Sequence, residues 1–210
     1  MEISGDLVEA ASENTRFNRR KHSQKQDILM TETPESVLDF WFGELTPKDW
    51  FVKNEDLDRR ITERFSGLHL ALSREIGDEW RATPEARLAL VIVFDQFPRN
   101  IYRGSPLAFA TDGLALKEAK AALAVGADNY VDESRRAFFY MPFEHAEDIS
   151  EQERCVALFE ALGNENYLDY ANQHHDIIKR YGRFPHRNPI LGRSSTPDEK
   201  AYLAQPGAGF

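Results

Sequence analysis

Two short segments of the sequence place an arginine and an asparagine shortly after a Phe-Pro pair. The first, residues 97–100, reads Phe-Pro-Arg-Asn and follows an apolar segment that ends at Asp95. The second, residues 184–188, reads Phe-Pro-His-Arg-Asn and follows a predicted helix that ends at Tyr181. Proline lacks a backbone N–H and disfavours helical geometry in the residue before it. Each Phe-Pro segment is therefore predicted to end a helix and begin a loop.

Together with their near neighbours, the two Phe-Pro segments contain four arginines that could bind an anion. The planar guanidinium donates several N–H groups in a fixed fork that matches two oxygens of a carboxylate or a phosphate. We therefore predict a pocket for a small anionic ligand. The alternative is that these arginines pair with scaffold acids and with helix-end carbonyls, which need donors in any case. The predicted ligand-binding residues are Asp95, Arg99, Asn100, Arg103, Arg183, Arg187 and Asn188.

Asp95 is a polar group at the end of an apolar segment, so it needs a partner. A buried carboxylate is costly unless a cation or several hydrogen-bond donors meet it. An arginine from one of the Phe-Pro segments is the expected partner. Asp95 is then an orienting residue rather than a general base.

Histidines beside carboxylates form a second polar group. Glu144 and His145 lie in a predicted loop over residues 140–148, and His174 and His175 lie in the helix before the second Phe-Pro segment. Such residues are typical of acid–base sites near neutral pH and of zinc, iron or manganese sites, although buried structural histidines are the alternative. Adjacent histidines on a helix point about 100° apart, so one of the two should face inward and they cannot easily share a metal. The predicted catalytic residues are Glu144, His145 and His186, with no metal site.

Composition limits the class of protein. The chain has 210 residues, of which 41% are hydrophobic and 29% charged, which is typical of one folded domain. A formal net charge of -9 argues against binding to nucleic acid or to an anionic membrane. The single cysteine cannot form an internal disulfide, which indicates a reducing compartment, and we expect the cytosol. No phosphate-binding loop, dinucleotide fingerprint or nucleophile elbow is present, so no cofactor is predicted.

The remaining pattern is helical. Ser-Pro and Thr-Pro pairs recur as helix-start signals, for example at Thr83 and Thr196, and Ser150 with Glu153 matches a capping box. Apolar residues step by three and four between these starts, and the apolar run 88–94 is read as a buried helix rather than a strand. The prediction is an all-α fold of about eight helices with antiparallel neighbours. Residues 1–30 are expected to be a disordered extension, 31–204 one helical domain, and 205–210 a flexible tail.

Four blocks of the sequence resemble a bacterial domain-of-unknown-function family, number 924. They are Pro-Glu-Ser-Val-Leu-Asp-Phe-Trp-Phe-Gly at 34–43, Phe-Asp-Gln-Phe-Pro-Arg-Asn at 94–100, Met-Pro-Phe-Glu-His at 141–145, and Arg-Tyr-Gly-Arg-Phe-Pro-His-Arg-Asn at 180–188 with Leu-Gly-Arg at 191–193. The resemblance implies a fold similar to the tetratricopeptide-like right-handed stack of helical hairpins. It implies no reaction, and residues 1–30 fall outside it.

Three functional hypotheses follow. In the first, the two Phe-Pro segments and the Glu144–His145 segment meet at one cavity that binds a small anionic metabolite and supports hydrolysis or group transfer without an organic cofactor. In the second, the protein is a non-enzymatic scaffold whose helical surface binds a peptide or a partner protein. In the third, Glu144, His145 and an inward His174 or His175 form a metal-dependent site.

Overall fold

A computed structural model describes residues 32–209 of the chain. Within that range all regular elements are helical and no strand is present. The predicted all-α fold is therefore confirmed, including the helical reading of the apolar run 88–94. The predicted disordered extension over residues 1–30 lies outside the described residues.

The α-helices range in length from 5 to 18 residues. In chain order they are α1 (Pro34–Leu38), α2 (Pro47–Phe51), α3 (Glu55–Leu72), α4 (Pro84–Asp95), α5 (Phe97–Ile101), α6 (Asp112–Ala124), α7 (Glu133–Glu144), α8 (Ile149–Leu162), α9 (Glu165–Tyr181) and α10 (Pro197–Leu203). A π-helical turn, Asp39–Glu44, extends α1, and 3-10 turns occupy Asp78–Arg81, Pro106–Phe109, Ala127–Tyr130 and Pro185–Arg187.

Hydroxyl side chains begin several of these helices, as their position before proline predicts. Thr83 accepts a hydrogen bond from the backbone N–H of Ala86, which supplies one of the orphan donors at the start of α4. Thr196 and Glu199 form a reciprocal capping box on α10. The capping box predicted for Ser150 and Glu153 is wrong, because α8 begins at Ile149, two residues before a Ser150 cap would place it. Asp148 caps it by accepting from the N–H groups of residues 150 and 151.

Helix α4 is the centre of the core. All its residues from Leu88 to Asp95 are buried, and it packs against α1, α6 and α7. Helix α8 packs on both α7 and α9, so the carboxyl half of the chain continues as a row of neighbouring helices. The right-handed tetratricopeptide-like stack remains a prediction.

Two sequence predictions near the polar segments are wrong in the same way. Residues 97–101 form the short helix α5 rather than a loop, because Pro98 lies in its first turn, where no N–H donates within α5. Residues 140–144 belong to α7, with Pro142 inside the helix, rather than to a loop. Glu144 is consequently the last residue of a helix, and His145 follows it directly.

Candidate functional site

Asp112 joins the arginines of the two Phe-Pro segments. Its Oδ1 lies 2.8 Å from Nη2 of Arg99, and its Oδ2 accepts a hydrogen bond of 3.3 Å from Nη1 of Arg187. Both guanidinium groups also lie over the ring of Phe109, each 4.7 Å from its centre. Arg99 reaches this position partly by donating to the carbonyl of Ala108. Two arginines far apart in the sequence therefore share one carboxylate and one aromatic ring.

The charges in this arginine pair are largely removed from water. Arg187 is 7% exposed, and burial, followed by repulsion from Arg99, lowers its pKa to about 10. Burial also raises the pKa of Asp112 above its usual range, against the attraction of Arg99. Burial thus disfavours the charged forms of Arg187 and Asp112, which is common where polar groups serve a function.

Asp95 and His145 form a second pair. The Nδ1 of His145 lies 2.8 Å from Oδ1 of Asp95, and Gln96 donates to Oδ2 of the same carboxylate at 2.6 Å. Asp95 is fully buried, and burial alone would raise its pKa. The charge and hydrogen bond of His145, then Arg99 and Gln96, outweigh burial and lower that pKa. The prediction that an arginine pairs directly with Asp95 is wrong. His145, which follows α7, is the direct partner, and Arg99 acts on Asp95 through its charge.

Glu144 is a buried carboxyl with few partners. Its Oε1 accepts no hydrogen bond from any residue between 32 and 209, and Nδ1 of His174 lies 3.4 Å from it while donating to the carbonyl of Tyr170 at 2.8 Å. Burial raises the pKa of Glu144 from 4.5 to about 7. Burial also lowers the pKa of His174 to about 3, so its imidazole is neutral. His174 is the inward member of the His174–His175 pair, as one of the two was expected to be.

His186 lies at the edge of the same group. Burial, followed by the charge of Arg187, lowers the pKa of His186 to about 4. The carboxyl-terminal segment packs on it, because a Cβ atom added at Gly209 would lie 3.1 Å from the Cβ of His186. The backbone N–H of Gly209 donates to the hydroxyl of Tyr202 on α10. The segment that was expected to be a flexible tail therefore has a hydrogen bond to a helix.

Arg103 and Asn100 bind a different carboxylate, that of Asp58. Both donate to Asp58 on α3, Arg103 through Nε at 2.6 Å and Nη2 at 2.8 Å, and Asn100 through its amide at 2.8 Å. These bonds tie α5 to α3. The alternative reading, that an arginine pairs with a scaffold acid, describes Arg103.

Arg183 and Asn188 also have structural partners. Arg183 donates to both carboxylate oxygens of Glu199, at 2.6 and 2.9 Å, and holds the pKa of Glu199 at about 2. Asn188 is fully buried, donates to the hydroxyl of Ser195 and accepts from Arg193. Of the four predicted arginines, the structure brings only Arg99 and Arg187 together.

Sequence reasoning missed two residues of this site. Asp112 reads as an ordinary acid in the first turn of a helix, where negative charge is favourable. Phe109 reads as one more core aromatic. Neither carries a local signal, because what distinguishes them is the pair of guanidinium groups brought to them by tertiary packing.

Neither a metal-binding cluster nor a membrane-spanning helix is present in the part of the chain that the structure describes. Over residues 32–209, no group of three or more His, Cys, Asp or Glu side chains is arranged to hold a metal ion. In the same part of the chain, no helix has both the length and the apolar character that crossing a membrane requires. Cys155 is buried and forms no disulfide.

Comparison with known proteins agrees with the resemblance read from the four blocks. Residues 37–207 match the model of a family described as bacterial protein of unknown function, DUF924. The chain belongs to this family. A solved structure of a protein of unknown function from Agrobacterium tumefaciens is similar at 44% identity with a TM-score of 0.78, covering 81% of this chain and 96% of that one. A search of curated proteins finds no match.

Membership of this family fixes the fold of the chain and supplies no activity. The arginine pair on Asp112, the Asp95–His145 pair and buried Glu144 therefore carry the functional argument by their own chemistry. Their charges are close enough to act on one another, since Arg99, Asp95 and His145 all influence Asp112.

Proposed function

We propose that this DUF924 protein binds a small anion bearing a carboxylate or a phosphate at Arg99 and Arg187. The observation that carries the proposal is that two guanidinium groups, one of them buried, share the single carboxylate of Asp112. Two guanidinium groups divide the hydrogen bonding of this one carboxylate, which leaves donors for a further anion, although Asp95 and Glu147 also act on Arg187 by charge. Buried cations without full compensation are destabilising, so such a ligand would stabilise the folded protein.

The donor capacity of the arginine pair supports the same proposal. A guanidinium carries five N–H donors. Within the described part of the chain, Nε of Arg187 is buried and has no hydrogen-bond partner. A phosphate or carboxylate oxygen is the acceptor that matches such a donor best.

We further propose that proton transfer accompanies binding, which would make the protein a hydrolase or a transferase. Asp95 accepts from Nδ1 of His145, which leaves Nε2 as the nitrogen that can take or give a proton. Glu144, with a pKa near 7, can donate a proton at neutral pH. His145 and Glu144 are thus suited to act as base and acid on one ligand held by the arginines.

The binding test uses inorganic phosphate and acetate as probes, with sodium chloride at matched ionic strength. Phosphate at a hundred times its dissociation constant should raise the free energy of unfolding by about 2.7 kcal/mol. Arg187→Gln should abolish this gain. Arg183→Gln is the matched control, because it removes an arginine paired with Glu199 outside the site and should leave the gain intact. Equal loss in both variants, or an equal gain from chloride, would contradict the proposal.

A second comparison separates binding from chemistry. Arg187→Lys keeps the charge but removes the fork, so phosphate should bind about tenfold more weakly than in the wild type. His145→Gln should keep phosphate affinity within about threefold, because its proposed role is proton transfer rather than anion binding. If His145→Gln loses binding as completely as Arg187→Gln, the assignment of His145 as an acid–base group is wrong.

A further inference from the structure

A single hydroxyl connects the residues that precede the two site carboxylates. Thr111 lies directly before Asp112 at the start of α6, and its Oγ1 donates to the carbonyl of Phe94 at 2.8 Å. Phe94 lies directly before Asp95 at the end of α4. Both Thr111 and Phe94 are buried.

The carbonyl of Phe94 needs this donor because of the sequence that follows it. In a continuing helix it would accept from the N–H of the residue four positions later. That residue is Pro98, which has no N–H. The Thr111 hydroxyl therefore supplies the donor that Pro98 cannot.

The direction of the remaining hydrogen bonds follows from this one. A hydroxyl has one proton, and Thr111 donates it to the carbonyl of Phe94. The oxygen of Thr111 must therefore accept a hydrogen bond from Nε2 of His69, 3.1 Å away. His69 is then protonated on Nε2, and its Nδ1 accepts from the hydroxyl of Tyr102 at 3.4 Å. The chain of bonds runs in one direction, from Tyr102 through His69 and Thr111 to the end of α4.

We propose that His69 and Thr111 are positioning residues for the candidate site. They link α3 to the junction of α4 and α6 and so set the separation of Asp95 from Asp112. Through those carboxylates they orient His145 and the Arg99–Arg187 pair, although neither residue touches the proposed ligand. The consequence for anion binding rests on the proposed function, whereas the consequence for His145 does not.

The test compares Thr111→Val, which removes the hydroxyl at nearly constant shape, with Thr111→Ser, which restores it. In ligand-free protein, nitrogen-15 NMR should show the proton on Nδ1 of His145 shifted downfield by its bond to Asp95. Thr111→Val should lose this signal and bind phosphate about tenfold more weakly, as expected when an orienting partner is removed. Thr111→Ser should keep the signal and bind within about threefold of the wild type. Thr62→Val, which removes a hydroxyl bond to a helix carbonyl within α3, is the matched control and should change neither.

The outcomes separate the two proposals. If Thr111→Val keeps the His145 signal, or Thr111→Ser loses it equally, the positioning role is overturned. If the signal behaves as expected while the wild type binds no phosphate, the positioning role stands and the anion site is rejected. Should Thr111→Val fail to fold, the wild-type protein still decides, because the proposal requires His69 to be protonated on Nε2, and protonation on Nδ1 would overturn it.

Discussion

Glu144 and Asp95 are both buried carboxyl groups at the same site, yet their pKa values move in opposite directions. Asp95 receives N–H groups from His145 and Gln96, which favour its charged form. Oε1 of Glu144 lies 3.4 Å from Nδ1 of His174, whose proton is given to the carbonyl of Tyr170, and the charge of His145 only partly offsets burial. Desolvation therefore sets the direction of the pKa shift at Glu144 but not at Asp95. At neutral pH Asp95 is therefore ionised, whereas Glu144 is partly protonated.

Glu144→Gln should change how stability depends on pH. The folded pKa of Glu144, about 7, lies above its ordinary value of 4.5, so the folded state binds the proton more tightly than the unfolded state. The contribution of Glu144 is fully present below pH 4.5 and is lost as pH rises toward 7, a change of about 3 kcal/mol. The variant should remove this decline, as measured by urea unfolding at a series of pH values between 4 and 8.

Glu199→Gln is the control of opposite sign. Arg183 holds the pKa of Glu199 at about 2, so its stabilisation is present above its ordinary value of 4.5 and is lost as pH falls toward 2. This variant should alter the profile only in the acid range. A wild-type profile that is flat between pH 4.5 and 7 relative to Glu144→Gln would show that Glu144 is not protonated near neutrality.

Most helices begin where the hydroxyl and proline residues of the sequence predict, and the exceptions involve Pro98, Pro142 and Ser150. The Phe97–Pro98 pair was expected to end a helix and residues 140–148 to form a loop, but Pro98 and Pro142 each lie within a helix. A proline cannot donate to the carbonyl four residues before it, so that carbonyl needs another donor. The hydroxyl of Thr111 donates to the carbonyl of Phe94, which lies four residues before Pro98. Likewise Asp148 rather than Ser150 caps α8, because the carboxylate reaches both free N–H groups.

Thr83→Ala should destabilise the protein by about 1 kcal/mol, because the hydroxyl accepts an orphan N–H at the start of α4 and alanine cannot. Ser150→Ala should change stability by less than about 0.5 kcal/mol, since Ser150 lies inside α8 and another residue caps it. Both values come from chemical unfolding at one pH. Equal losses in the two variants would show that the start of α8 is assigned wrongly.

At the scale of the whole molecule, one aromatic cluster joins the early helices to α7. The ring of Phe138 contacts those of Trp41, Phe42 and Trp50 edge-on, with centres 5.0 to 5.8 Å apart. Trp41 in turn contacts Phe97, which begins α5. Because α5 carries Arg99 and α7 carries Glu144, this cluster sets the relative positions of elements that bear site residues.

Phe138→Ala should cost about 3 to 5 kcal/mol, since removing this fully buried ring leaves a cavity in the aromatic cluster. Phe51, whose side chain is 59% exposed, is the matched control, and Phe51→Ala should cost less than about 1 kcal/mol. Thermal or urea unfolding measures both. A loss below about 1 kcal/mol for Phe138→Ala would mean that the cluster is not a packed core.

The sequence by itself determined the helical class, most helix starts, the burial of α4, the family, and the polar segments worth inspecting. The helical class and the helix starts follow from patterns of residues three or four positions apart, which can be read from the sequence alone. Only the tertiary structure decided which acid each arginine meets, because Arg187 and Asp112 are 75 residues apart and His145 and Asp95 are 50 apart. Four similar arginines thereby divide into two that tie helices together and two that converge on one carboxylate. The packing of neighbouring helices, rather than any local pattern, makes that distinction.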